Sequence, residues 1–260
     1  MDPRQEANGD QARELPAALA ILWGRRERTR RGPKPALTVE RIVEAAVQIA
    51  DAEGLGPLSM GRLAEALGFT PMALYRYVGN KDVLLQLMAD VAGGPPDPRP
   101  WPPGWRAGLR RWAGELFAMY RRHPWLLQVP MDGMPPAGPN GLLWLDAGLR
   151  CLAGTPLSAE DRLNVVTQLS IHVRGEAHFA QQYEQPGNPG AAGTAPTYGD
   201  LLRSLIDADR YPALSELLQT GVLDGPDAGQ AEFDAAAEAE FGLGLMLDGI
   251  AALIEAHQRA

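Results

Sequence analysis

Apolar residues recur along this chain at three- and four-residue intervals, with no sustained alternation. The first pattern marks helices with one buried face and the second marks half-buried strands, so the reading is all-α. In "LTVERIVEAAVQIADAEGLG", Ile42, Val43, Ala46, Ile49 and Ala50 share a face, Thr38 is placed to cap the start and Gly54 ends the run. "LSMGRLAEALG" predicts a shorter helix between Ser59 and Gly68, and "TPMALYRYV" another with Thr70 as cap and Pro71 at its first position. "NKDVLLQLMADVAG" opens on Asn80 and is apolar at Val83, Leu84, Leu87, Met88 and Val91.

The Pro/Gly stretch "GGPPDPRPWPPG" at 93–104 then interrupts the pattern and marks the main boundary. Beyond it, helices are expected over about 105–122, 124–129, 140–153, 158–185, 198–220 and 229–258. The division is therefore a flexible extension at 1–35, a helix-turn-helix domain at 36–92, a hinge at 93–104 and a larger helical domain at 105–260.

Within 59–78, two short helices joined at "GFT" have the layout of a helix-turn-helix, with Leu63, Ala64, Leu67 and Leu74 inward. Outward on the second helix lie Met72, Ala73, Tyr75, Arg76 and Tyr77, which are amphipathic or small rather than an ordinary solvated mixture. Two tyrosines flanking an arginine suit phosphates, sugars and base edges, and Lys81 at the next helix start adds a charge beside free backbone N–H groups. The bland alternative is a structural three-helix bundle.

Charge sharpens the picture. The 260-residue chain carries a formal net charge of -8, yet residues 1–92 hold 12 basic and 12 acidic side chains, so the whole deficit lies beyond residue 92. Any DNA contact must come from the N-terminal third. Its most basic run is "WGRRERTRRGPKP", with Arg25, Arg26, Arg28, Arg30, Arg31 and Lys34, where glycine and prolines prevent helix continuation. Such a run is either a solvated tether or an arm for a narrow, negative minor groove.

Residues 36–92 resemble the DNA-binding domain of the tetracycline-repressor (TetR/AcrR) family almost throughout, through "LAEALG", "ALYRYV" and "NKDVLL". The resemblance implies DNA contacts at Thr70, Pro71, Met72, Ala73, Tyr75, Arg76, Tyr77 and Lys81, with Met60 and Arg62 as further candidates. Gly61 stands where the family often has an arginine that reaches DNA. More weakly, "RRHPWLL", "GPNGLLWLDAGLR" and "FGLGLMLDGIAALIEAH" resemble the ligand-binding domain of the same family, in the branch of actinomycete antibiotic-exporter repressors.

In that second domain, Leu243, Leu247, Ile250 and Ile254 form one apolar stripe, and His172, Gly175 and Phe179 lie on one side of the helix at 158–185. Two such helices from each of two chains would make a four-helix homodimer interface; alternatively the stripes face the chain's own core. A ligand cavity is expected where Trp112 and Leu116 face Leu163, Thr167, Ser170 and Arg174, with Trp144 nearby, although each tryptophan also reads as core.

Catalytic and metal chemistry find no support. His172 and His178 lie about 240° apart around a helix, so they cannot share a metal, and no cofactor is implied. No nucleophile elbow, phosphate loop or paired-carboxylate signature occurs, so no enzyme is expected. The single cysteine, Cys151, fits a reducing cytoplasm. No run approaches a membrane span, and "ELPAALAILWGRR" has its charges in the wrong order for a secretory signal.

The expectation is a homodimeric, cytoplasmic repressor on a palindromic double-stranded DNA operator, released by a small, largely apolar inducer. The resemblance suggests an exporter gene and antibiotic resistance. The rival is a DNA-independent ligand-binding or scaffold dimer.

Overall fold

The computed structural model describes residues 15–25, 36–130, 137–183, 197–224 and 235–259. Among them are eleven α-helices, one 3₁₀ turn and no strand. They fall into two compact units that do not follow the linear hinge: 1–100 with 122–150, and 101–121 with 151–260. The chain leaves the first unit at 101 and returns to it for residues 122–150.

In the first unit, α1 (Ala17–Leu22) precedes α2 (Val39–Glu53), α3 (Met60–Leu67), α4 (Pro71–Val78) and α5 (Lys81–Gly93). A 3₁₀ turn (Pro124–Gln128) and α7 (Pro139–Cys151) complete it. Each expected cap forms: Thr38 Oγ1 accepts from Arg41 N, Ser59 Oγ from Arg62 N, Thr70 Oγ1 from Ala73 N and Asn80 Oδ1 from Val83 N. Gly68 takes φ +74°, the left-handed geometry that ends α3 and redirects the chain into α4. Ile42, Val43, Leu63, Leu74, Val78, Leu84 and Met88 are all but sealed from solvent, so α2 to α5 share one core.

Helix α6 (Trp105–Arg122) opens the second unit. Long helices α8 (Ala159–Tyr183) and α11 (Ala235–Arg259) pack on each other. Val165, Val166, Leu169, Val173, Ala177 and Ala180 form the buried face of α8, and Leu243, Leu247, Ile250 and Ile254 that of α11. Arg106 pairs with Asp248 at 2.5 Å and Arg110 with Glu240, joining α6 to α11. His257 Nε2 lies 3.2 Å from Asp161 Oδ2, joining the end of α11 to the start of α8.

The single helix expected at 198–220 is instead two, α9 (Tyr198–Leu205) and α10 (Pro212–Gln219). Pro212 has no N–H to continue a helix and suits the first position of a new one. The intervening turn is closed by Tyr211 N to Asp207 O at 2.9 Å. Arg203 then ties the pair together, with Nη1 2.7 Å from Asp224 Oδ1 and Nη2 donating to Leu218 O. Its hydrogen bonds hold the Asp224 carboxyl below the ordinary carboxylate range.

Candidate nucleic-acid interface

Helix α4 is fixed from within and displayed from without. Leu74 and Val78 are buried on its inner face, while Thr70, Pro71, Met72, Tyr75 and Arg76 are exposed and Ala73 and Tyr77 half-buried. Met72 is 71% exposed and Tyr75 42%, unusually open for large side chains on a rigid, capped helix. An apolar thioether, a phenol and a guanidinium on eight residues suit the sugar edges, phosphates and base edges of a major groove.

Two of the expected DNA contacts are engaged within the fold. Met60 is only 6% exposed, because at the first position of α3 its side chain turns into the core beside Leu58 and Leu63. It supports the motif and cannot reach a groove. Arg62 is exposed, yet it pairs with Glu53 at the end of α2, so a phosphate would have to compete with that carboxylate. Lys81 is exposed and donates from Nζ to Leu58 O at 2.8 Å, which bridges α5 to the segment before α3. Its ammonium has further donors for a phosphate. A Cβ at Gly61 would meet nothing nearer than Ser59 Oγ at 3.9 Å, so the missing side chain leaves open space.

Of the basic run, Arg25 is described and exposed; Arg26, Arg28, Arg30, Arg31 and Lys34 lie outside the described residues. Helix α1 packs on α5 with Ala18 buried, and Trp23 Nε1 donates to Ala137 O at 2.9 Å. The sequence carries no signal for this docking, since Ala18 and Trp23 find partners far along the chain.

Two carboxylates tie the motif to the returning segment. Asp51 Oδ1 on α2 takes His123 Nδ1 and Trp125 Nε1, both at 2.7 Å. Asp90 near the end of α5 accepts from Gly141 N at 3.0 Å and Asn140 Nδ2 at 3.2 Å, which caps the first turn of α7. Trp144 Nε1 donates to Gly94 O at 2.9 Å. Trp144 is thus a buried anchor of the first unit.

The remaining residues expected at the cavity differ in exposure. Trp112 and Leu116 are buried in the second unit, but Leu163 is 40% exposed, Thr167 is exposed, Ser170 donates to its own helix at Val166 O, and Arg174 stacks over Tyr120. Their face of α8 lies beside the buried face, not on it. What the second unit does contain is a cleft of about 200 Å³ between α6, α8 and α11, lined by Ala113, Phe117, His172, Glu176, Glu240 and Leu243 among others.

The residues expected at a dimer interface divide between buried and exposed positions. Leu243, Leu247, Ile250 and Ile254 are at most 7% exposed within a single chain, so their stripe faces its own core against α8. His172 is half-buried at the cleft, whereas Gly175 and Phe179 are exposed. Sequence periodicity missed the outward set, Ile171 on α8 with Phe241 and Leu245 on α11, at 48%, 67% and 60% exposure. Among the described residues no helix is long and apolar enough to cross a membrane, and no group of metal-binding side chains assembles.

Comparison with known proteins agrees with this geometry. Residues 42–88 match the model of bacterial regulatory proteins of the tetR family, and residues 98–254 match that of the tetracyclin repressor-like C-terminal domain. The HTH-type transcriptional repressor DrrR1 of Streptomyces coeruleorubidus is 38% identical over 255 residues, covering 95% of this chain and 88% of that one. The TetR family protein ActR of Streptomyces coelicolor, solved in complex with (S)-DNPA, is 30% identical with a TM-score of 0.67, covering 84% of this chain and 98% of that one. Its complex with actinorhodin gives 31% identity and a TM-score of 0.65, covering 83% and 97%. With both of its halves matched, and a capped, exposed reading helix in the first, this chain belongs to the TetR family: it is a helix-turn-helix, DNA-binding transcriptional repressor and not an enzyme.

Proposed function

We propose that the protein acts as a homodimer, holds a palindromic operator through two copies of α4, and is released by a small molecule, with an exporter gene as its target. Residues 36–92 read DNA, and residues 105–260 supply the ligand site and the dimer contacts. The observation that carries this reading is the display of Met72, Tyr75 and Arg76 on a helix whose opposite face is locked in the core. One such helix covers a single half-site; two, about 34–36 Å apart, cover successive major grooves. Ile171, Gly175 and Phe179 on α8 and Phe241, Leu245 and Gly249 on α11 recur at four-residue spacing on exposed faces, the pattern of a helix pair that meets a second pair. Response to a small molecule is supported by the ActR complexes.

The basic run adds phosphate or minor-groove contacts beside α4, starting from a helix held on α5. Replacing Arg25, Arg26, Arg28, Arg30 and Arg31 by glutamine, which keeps α1 on α5, is expected to weaken operator binding and to flatten its salt dependence by about 0.9 for each phosphate no longer neutralised. Gel-shift titrations at several salt concentrations check this. Equal affinity and slope in the substituted protein would make the run a tether.

Release requires a conformer that binds ligand better and DNA worse, with a coupling of about 1–3 kcal/mol. Helix α5 leads directly out of the reading motif, and Asp90 holds it to α7. Asp90→Ala removes the cap of α7 and is expected to cost about 2 kcal/mol, or about 5 °C in melting temperature. Scanning fluorimetry reads this; an unchanged melting temperature would show that the tie contributes nothing.

A further inference from the structure

The cleft between α6, α8 and α11 has a chemical character of its own. Its walls are mostly apolar, from Ala113 and Phe117 on one side and Leu243 on the other. Its polar groups are His172, Glu176 and Glu240, two of them carboxylates. Glu240 is neutralised by Arg110. Glu176 is not: its side chain is 28% exposed, and among the described residues the basic nitrogen recorded beside it is His172 Nδ1 at 3.8 Å, too far for a hydrogen bond. On the same ring, His172 Nε2 is buried and has no hydrogen-bond partner. An orphaned, buried imidazole nitrogen costs free energy that structural residues seldom bear without cause, and beside it stands a part-exposed carboxylate with no ion-pair partner within hydrogen-bond reach.

Gly242 explains how the two groups come so close to α11. A Cβ there would stand 2.8 Å from His172 Cε1 and 3.3 Å from Glu176 Oε1. Only a residue without a side chain lets the imidazole and the carboxylate press against the helix backbone at this point. The arrangement leaves a negative charge at the edge of an apolar slot.

We propose that this cleft binds a small amphipathic organic cation, with its apolar body between Phe117 and Leu243 and its ammonium or amidinium against the Glu176 carboxylate. The proposal rests on the reading of the protein as a ligand-released repressor, and it assigns the charge class of the ligand. A cationic group brings the charged donors that Glu176 lacks, whereas an anion of the same shape meets a carboxylate that no arginine or lysine neutralises.

The test uses the full-length, DNA-free protein and two small fluorescent probes of equal shape, p-aminobenzamidine as cation and p-aminobenzoate as anion. The cation is expected to bind saturably with fluorescence enhancement, and the anion not to bind. Glu176→Gln keeps the shape and removes the charge; it should weaken the cation about tenfold, near the 1.4 kcal/mol per decade of any affinity. Gly114 lines the cleft with no atom within 4 Å of a Cβ built there, so Gly114→Met should fill the slot and abolish binding without disturbing the fold. Circular dichroism melts confirm that both variants fold.

Equal binding of the two probes, no saturable binding of the cation at millimolar concentration, or unchanged affinity in either folded variant would overturn the proposal. A separate measurement follows labelled operator DNA by anisotropy with the cation present. Saturable, Glu176-dependent binding that leaves the DNA complex intact would support the cleft assignment and overturn the release mechanism instead.

Discussion

Replacing Leu247 by aspartate should unfold the second compact unit, whereas Leu245→Asp, two residues earlier on the same helix, should leave it folded and produce monomers. Leu247 is 0% exposed and Leu245 is 60% exposed. At position 247 a carboxylate would be trapped in the core that α11 shares with α8. The lost burial of a leucine costs about 2 kcal/mol, and an unpaired buried carboxylate adds several more even after its pKa rises. Against a typical total stability of about 5–15 kcal/mol, that is enough to remove the cooperative melting transition. At position 245 the new charge is hydrated in the free chain, so its cost falls on association alone. Analytical ultracentrifugation should find Leu245→Asp at the mass of one chain, with a melting profile close to that of the parent monomer. A folded, monomeric Leu247→Asp protein would show that the 243–254 stripe is the dimer contact after all.

Arg76→Ala should carry the largest loss in DNA affinity of any single change on α4. Arg76 is exposed in the last turn of the helix and makes no ion pair among the described residues, so its guanidinium is available to guanine or phosphate. A bidentate contact of that kind is worth about 1–3 kcal/mol, or about five- to 150-fold. Tyr75→Ala should cost less, since a phenol offers one hydrogen bond and some packing. Met60→Ala provides the contrast: with a side chain 6% exposed, it should lower the melting temperature and leave DNA contacts untouched at equal folded fraction. Fluorescence anisotropy on one duplex with all three proteins decides this. Weaker binding by fully folded Met60→Ala, or undiminished binding by Arg76→Ala, would require another reading surface.

Cost falls unevenly between these two experiments because α4 and α11 use their faces differently. On α4 the apolar inner face is narrow, and everything else is amphipathic or charged, so the periodicity alone separates core from reader. Leu74 and Val78 are buried and Tyr75 and Arg76 exposed, as the pattern predicts. On α8 and α11 both faces are apolar. Leu247 and Leu245, or Val173 and Ile171, are equally hydrophobic in the sequence, and nothing local says which one meets the chain's own core.

What the sequence by itself determined is what acts within about four residues: the all-α class, most helix bounds, the four caps at Thr38, Ser59, Thr70 and Asn80, and the turn at Gly68. Each of these depends on a side chain and a backbone group that are neighbours along the chain, so their chemistry can be read in order. The break at Pro212 belongs to the same class and was legible, though the apolar period running through 198–220 obscured it. Tertiary structure alone decided the rest. It placed Met60 inside, returned residues 122–150 to the first unit, turned the 243–254 stripe inward, and set Asp51 against Trp125 and Asp90 against Asn140. It also brought Ala113, Glu176 and Leu243 around one cleft. Those outcomes depend on which of two comparably apolar faces gains more by burial, and on donors and acceptors 50 or more residues apart finding each other. Such choices are settled by packing the whole chain at once and leave no period or motif behind.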